Sequence, residues 1–403
     1  MSGSRPPGHD SGAIDADARS SARARRLSLA AVFATNFGVG LLFGFQPPLI
    51  ALVLERHGAS GAAIGAITGI STIAVILLGP TYPRIIGWLG LRRAIVAGVG
   101  LALLVLLAMP AFEGIAAWTV LRFVSGCALG LQWIASEIWL NRVATDRSRG
   151  TVMAIYATVF AAGVVAGPIL LEVTGTVGVR PFWSGALALA LTAVPLAFVR
   201  HVPAAGHEPL PLRDFLGLMR LAPTVMLAAL VAGLVESADI SLLPLVGIRA
   251  GYGERTSLML VTAFLAGNVL LQLPIGRIAD RFGRRRTLAG CAAVSAIGPL
   301  LLPASLGVPA AQWPLLLIWG GTMYGFYTQG IALLGESFPG RRLAAANTVF
   351  VMVYCAGSVV GPGLAGLAMD AWAATGLVSV LSGAAMLLIL GLVVESRRNR
   401  VPN

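Results

Sequence analysis

The sequence predicts an all-α membrane protein in which twelve transmembrane helices form two pseudo-symmetric six-helix bundles. Three observations carry this prediction. The apolar residues fall in long blocks, each close to the ~20 residues a helix needs to cross the hydrocarbon core of a bilayer. Arginine is dense in alternate loops between the blocks and sparse in the others. A set of glycines and prolines recurs at a constant offset of 194 residues.

Of the 403 residues, 57% are hydrophobic and 11% charged, and the mean hydropathy is +0.84. A soluble domain needs far more charge to cover its surface. Buried helices of a large soluble protein would show charged faces at helical spacing, and these are absent. The net charge of +12 comes from arginine, since all 29 basic residues are Arg. No run interleaves them with stacking aromatics as a single-strand groove would, so nucleic acid is not an expected partner. Cys127, Cys291 and Cys355 lie inside apolar blocks, as small packing residues do, rather than in a disulfide framework. His9, His57, His201 and His207 lie in the tail or in loops without metal-site spacing, so neither a metal nor a cofactor is expected.

Residues 1–27, rich in Gly, Ser, Pro, Asp and Arg, read as a disordered cytoplasmic tail. The block that follows is too long for the h-region of a cleaved signal. Six spans are expected at 28–54, 61–81, 94–112, 115–141, 151–173 and 181–199, giving an N-terminal bundle over 28–199. The longest polar connection, 200–220, holds Arg200, His201, His207, Glu208, Arg213, Asp214 and Arg220 and reads as a cytoplasmic linker. Spans at 221–247, 256–276, 287–305, 313–335, 343–369 and 372–394 give a C-terminal bundle over 221–396, before a cytoplasmic tail of 397–403.

Charge placement orients these spans. With the N-terminus inside, the tail, the even-numbered loops and the C-terminus hold 24 of the 29 arginines. The other side holds Arg56, Arg180, Arg249 and Arg255, and Arg122 lies within span four. That excess is what the positive-inside rule expects of an inner-membrane protein with both termini cytoplasmic. The halves also repeat: Gly163, Gly167 and Pro168 in span five recur as Gly357, Gly361 and Pro362 in span eleven, and Glu137 closing span four matches Glu336 closing span ten. Repeated six-span halves place a substrate site at their interface near mid-bilayer.

The loop after span eight reads GRIADRFGRR, with Gly276, Asp280, Arg281, Gly283, Arg284 and Arg285. It matches the G-x-x-x-D-R-x-G-R-R signature of the major facilitator superfamily. Glycines permit a tight turn between packed helices, and the acid and arginines suit charged hydrogen bonds that hold the cytoplasmic side closed. The first-half loop, Gly79 to Arg93, departs from this: Pro83 stands near the expected acid and extra residues precede Arg92 and Arg93. LRFVSG (Leu121–Gly126), Glu137 followed by RSRG (Arg147–Gly150), and GSVVGPGLAG (Gly357–Gly366) are also similar to family segments. Together these resemble the YcaD-like branch, from about residue 30 onward. The resemblance implies the major facilitator fold and a secondary transporter, without a substrate. The paired G-x-x-x-G-P segments have two readings, close helix packing with a bend or the span-five feature that the family associates with proton-coupled antiport.

A charge in mid-bilayer costs roughly 2.5–3.5 kcal/mol on the mild insertion scales, so each buried charge needs a partner or water. Arg122 lies about 10 Å below the outer end of span four. Glu236 and Asp239, three apart on one face of span seven, lie at about 16 and 12 Å from the same surface. In the superfamily, spans one, four, seven and ten line the cavity, so these three are expected to form the charged centre of the transport path, the acids carrying the proton. The competing reading is a static ion pair. Glu137 and Glu336 end their spans near Arg92, Arg93, Arg149 and near Arg284, Arg285, Arg341, and read as halves of an inner gate. Asn36, Gln46, Gln132, Trp133, Trp319, Tyr324, Tyr327 and Gln329 add aromatic and hydrogen-bonding groups suited to an organic solute, or to helix bridging. The expected activity is proton-coupled carriage of a small organic solute by a monomer, as efflux or uptake. The alternative is a transporter-like sensor or scaffold. No nucleophile–base constellation marks an enzyme.

Overall fold

A bilayer offers no hydrogen-bond partners to the backbone, so a spanning chain must satisfy its amides within helices or a closed barrel. This chain uses helices. The computed structural model describes residues 11–112, 114–144, 149–199, 217, 222–338 and 340–398, with no strand among them. The first half comprises α1 (Ser11–Arg56), α2 (Gly61–Leu78), α3 (Tyr82–Leu89), α4 (Leu91–Ala108), α5 (Ile115–Val143), α6 (Arg149–Thr174) and α7 (Arg180–Ala197). The second comprises α8 (Pro223–Arg249), α9 (Glu254–Phe282), α10 (Arg284–Ser305), α11 (Pro309–Ser337), α12 (Gly340–Trp372) and α13 (Ala374–Arg398).

Every expected span is a helix, and ten are long and apolar enough to cross a membrane on that ground alone. The others are α7, diluted by Arg180 and two prolines, and α11, diluted by Tyr324, Tyr327, Gln312 and Gln329. Helix α1 begins at Ser11, so residues 11–27, expected as a tail, are its first turns. Their Ala and Arg content favours helix despite low hydropathy. Residues 1–10, the linker 200–220 apart from Gly217, Arg147 of the RSRG string, and the end of the C-terminal tail lie outside the described residues. Large apolar side chains such as Leu77, Leu104, Leu187, Leu270 and Leu367 are exposed on the outside of the bundle, as a lipid-facing surface requires.

The two halves pack alike. α6 lies on α1 as α12 lies on α8, and α5 packs on α2 and α4 as α11 packs on α9 and α10. Glycine sets the closest of these contacts. A Cβ on Gly163 would sit 2.3 Å from the Phe37 carbonyl oxygen, and one on Gly44 would sit 1.9 Å from that of Val164. In the second half, Gly357 and Gly361 meet the carbonyl oxygens of Leu230 and Leu234 at 2.0 and 2.2 Å in the same sense. The G-x-x-x-G-P glycines therefore seat each bundle's long helix pair. Pro168 and Pro362 lie inside these helices.

The structure corrects the reading of the first-half loop. Gly90 and Gly283 both join two helices in the left-handed region, at φ +79 and +90. With these glycines aligned, PRIIGWLG matches GRIADRFG without insertion, and Gly87 rather than Pro83 occupies the place of Asp280. The loop is also partly helical, as α3, where the second half continues α9 unbroken to Phe282. Tyr82 anchors α3 instead of a charge. It is buried, donates to the Cys127 carbonyl at 3.2 Å, and faces Gly130.

Replacing Gly163 or Gly357 by Val should destabilise the fold by about 1–3 kcal/mol through overpacking. Gly100→Val, at a position with no atom within 4 Å of an added Cβ, should leave the thermal midpoint in detergent unchanged. Equal midpoints for all three variants would show that the close contacts do not limit packing.

Candidate functional site

Arg122 lies on α5, where Gly126 allows close approach to α2: an added Cβ would be 2.1 Å from the Ser71 carbonyl oxygen. That approach delivers acceptors to the guanidinium. Nη1 donates to Gln46 Oε1 at 2.6 Å, and Nη2 donates to Ser71 Oγ at 2.7 Å and to the Thr68 carbonyl at 3.2 Å. Ser125 Oγ donates to the same Gln46 oxygen at 3.0 Å. Arg122 is only 4% exposed, and no carboxylate among the described residues pairs with it. Its Nε and the Gln46 Nε2 have no acceptor there.

The second half builds an acidic counterpart. Gly233 seats α12 on α8, since an added Cβ would be 2.0 Å from the Tyr354 carbonyl oxygen. The Tyr354 hydroxyl then donates to Glu236 Oε2 at 2.6 Å, and that of Tyr324 donates to Oε1 at 2.8 Å. Asp239, one turn away and fully buried, has no donor on either oxygen among the described residues.

Arg122 and Glu236 line one cavity of about 130 Å³ between the halves. Gln46, Ser71, Trp133 and Phe160 complete the wall on the first half, and Ser237, Tyr354 and Ser358 on the second. Trp133 stacks on Phe160 at 6.3 Å between centroids, and Phe43 stands edge-on to both. The static ion pair between Arg122 and the acids is therefore not present. The arginine is served by neutral acceptors of its own half, and Asp239 is buried and is not among the residues that line the cavity.

The remaining expected residues divide. Asn36 donates to the Tyr156 carbonyl at 2.9 Å, bridging α1 and α6. Gln132 donates to Ser136 at 3.1 Å, while its own carbonyl and that of Gln329 have no partner among the described residues. Tyr327 packs edge-on to Phe350 and Tyr354, and Trp319 on Phe264. Glu137 does not join Arg92 or Arg93. Its Oε1 accepts from Trp133 Nε1 at 2.8 Å, one turn back along α5, which turns it toward the aromatic group. Glu336 does pair with Arg284, at 3.1 Å, and Arg285 pairs with Glu395 at 2.5 Å. Arg92 donates to the Ala197 carbonyl at 2.9 Å. Asp280, Arg281 and Arg93 are exposed, and Gly276 has open space about it.

Sequence reasoning missed a clasp at the opposite end of the bundle, where bonds between the halves are backed by those of Arg56 to Thr176 within the first half. Arg249 is bidentate on Glu55, at 2.8 and 3.1 Å. Arg56 meets Glu254 at 2.7 Å, and the Thr176 hydroxyl donates to the same carboxylate. Asp370 accepts the Gly61 and Ala62 amides at 2.6 and 2.9 Å, capping α2 from the other half. Thr262 donates to Glu172 at 2.6 Å. Single exposed pairs contribute about 0–1 kcal/mol, but this set adds a charged helix cap and acts together. The available signal was opposite charge at matching span ends, Glu55 with Arg249 and Arg56 with Glu254. Tyr354 and Ser71 gave no signal, because a single hydroxyl in an apolar run has no periodic signature.

The chain matches the sequence profile described as Major Facilitator Superfamily over residues 31–261 and 225–403. An uncharacterised transporter of that type from Yersinia pestis (strain Pestoides F) is 27% identical over 288 residues, 71% of this chain and 74% of its own length. The similarly uncharacterised YcaD of Escherichia coli O9:H4 (strain HS) is 28% identical over 261 residues, 64% of this chain and 66% of its own. Among solved structures, a mutant of the nucleoside transporter NupG superposes with a TM-score of 0.79 at 13% identity, covering 91% of this chain and 99% of that one. The profile spans nearly all of the sequence and the fold agrees with it; the chain belongs to the Major Facilitator Superfamily of transporters.

Proposed function

We propose that this transporter moves a small organic solute across the inner membrane by alternating access, as a monomer with both termini cytoplasmic, and couples the movement to protons. The observation that carries this reading is the cavity between the halves, walled by an unpaired cation, Arg122, on one side and a cation-free carboxylate, Glu236, on the other. Aromatic faces with few polar groups suit an organic solute better than a bare ion. The proton belongs to the Glu236–Asp239 pair. Buried acids three residues apart on one helix, with no cation beside them among the described residues, suit a group that takes up and releases a proton.

The clasp sits on the arginine-poor face, which the positive-inside rule makes the outer one. On the arginine-rich face, the ion pairs among the described residues each stay within one half. This arrangement supports an inward-facing state, with the outer end shut.

Thermal-shift screening of purified protein against metabolites and drugs should identify a stabilising ligand, which proteoliposomes loaded with that ligand should exchange by counterflow. Asp239→Asn should reduce accumulation driven by a pH gradient at least tenfold while retaining counterflow, which needs no net proton movement. Unchanged pH-driven accumulation would sink proton coupling through the pair, and absence of counterflow would sink transport.

Breaking the clasp should shift the resting state outward. With Cys127 and Cys291 replaced by Ser, the cavity-lining Cys355 reports access. Glu55→Gln or Arg249→Gln should raise its labelling by an impermeant maleimide from outside several-fold, and the exchanged pair Glu55→Arg with Arg249→Glu should restore the native rate. Identical labelling in all forms would overturn the gate assignment.

A further inference from the structure

We infer that the solute is a compact zwitterion, bound with its anionic group at Arg122 and its cationic nitrogen at Glu236. This deepens the reading of the cavity as a transport site and rests on it. The argument begins with the charge balance of the two walls. Arg122 spends three hydrogen bonds on Gln46, Thr68 and Ser71, all neutral, and keeps its full positive charge. Its buried Nε and the buried Gln46 Nε2 are donors with no acceptor among the described residues. Buried donors are normally satisfied, and an anionic group placed here would take both.

Glu236 presents the complementary case. Each of its oxygens accepts one tyrosine hydroxyl. Two hydroxyls, one on each oxygen, can both donate to it, which suits an ionised carboxylate. Asp239 has no donor on either oxygen among the described residues and is not among the residues that line the cavity. The acid at the cavity wall is Glu236, and among the described residues no arginine pairs with it.

Each charge lies on a different half of one cavity. A solute carrying both signs satisfies both walls at once and ties the halves together through itself. A simple anion leaves Glu236 facing a negative group, and a simple cation leaves Arg122 uncompensated. A buried unpaired charge is the costly outcome in either case. The cavity volume of about 130 Å³ is close to one known to hold a single benzene-sized ring. Phe43, Trp133 and Phe160 provide flat apolar faces for that part of the molecule. An amino-acid-like molecule with a small side chain meets all three requirements in this state of the cavity.

The test uses purified full-length protein and matched probe sets that differ only in charge. One set is phenylalanine, 3-phenylpropionate, phenethylamine and 3-phenylpropanol, and parallel sets are built on leucine and on proline. Binding is read by thermal shift and flux by counterflow in proteoliposomes. At least one zwitterion is expected to bind tenfold or more tightly than its anionic, cationic and neutral partners. Glu236→Gln is expected to erase the preference for zwitterion over anion, and Arg122→Gln the preference for zwitterion over cation. Tyr354→Phe, which leaves the acid in place, is expected to weaken zwitterion binding with a smaller effect on the anion. Unliganded melting temperatures report whether each variant folds.

Preference for the anion, cation or neutral member overturns the inference, as does failure of every zwitterion to bind. If such a non-zwitterionic ligand still exchanges by counterflow, the transport reading stands and only the substrate class falls. If a bound zwitterion never exchanges, the transport reading falls and the binding assignment stands.

Discussion

Backbone contact between helices, made where glycine replaces a side chain, is the constraint on which the rest of this structure depends. In lipid there is no hydrophobic force between apolar helices, so association relies on close packing and on the polar bonds that close packing permits. Gly163 and Gly44 lay α6 on α1, and Gly233, Gly357 and Gly361 lay α12 on α8. The second contact presents the Tyr354 hydroxyl to Glu236, and the parallel contact at Gly126 presents Ser71 to Arg122. Each buried charge is thus supported by donors or acceptors that arrive only because a neighbouring helix has come to backbone distance. A methyl group at Gly126 or Gly233 would push apart the helices that bring Ser71 to Arg122 and Tyr354 to Glu236.

The helices, their number, and the repeat were legible in the sequence because each rests on a signal extended over many residues. Hydropathy over a whole span and arginine over a whole loop average out single exceptions. The charges at Arg122, Glu236 and Asp239 stood out for the same reason, each conspicuous against an apolar background. Their partnerships were not legible. Matching depth suggested that Arg122 faced both acids, but depth alone leaves the rotation of a helix open, and Glu236 lines the cavity while Asp239 is not among its lining residues. Glu137, expected beside Arg92 and Arg93, accepts instead from Trp133 for a related reason. Proximity to arginine in sequence counted for less than an indole one turn away on its own helix. The loop after span two was legible only in part, since its register with the second half depends on a shared left-handed glycine conformation, which residue letters do not display.

The two halves share a scaffold but distribute charge differently over it. At the arginine-rich end the second half keeps an acid, Asp280, where the first has Gly87, and the first anchors its loop by the buried ring of Tyr82. At the clasp the acid changes sides. Asp370, at the end of α12, meets a small residue at the start of α2, whereas Thr176, after α6, meets Glu254 at the start of α9. These two contacts are related by the internal repeat, so the same joint is built twice with its polarity reversed. The cavity follows the same pattern, with the cation on one half and the acid on the other. Symmetric geometry with complementary charge lets two similar domains attract each other, where two identical ones would meet like with like.

Asp370 holds α2 by its main chain. The two amides it accepts belong to the first turn of that helix, where no intrahelical partner exists. Such a grip is indifferent to which side chains α2 carries at positions 61 and 62, so long as they are small enough to fit, and it has no rotamer on the α2 side through which to let go. Gly65 and Gly69 continue the same contact down the helix against Pro362 and Val359, so the aspartate and the glycine face together seat the end of α2 on the other half by main chain alone.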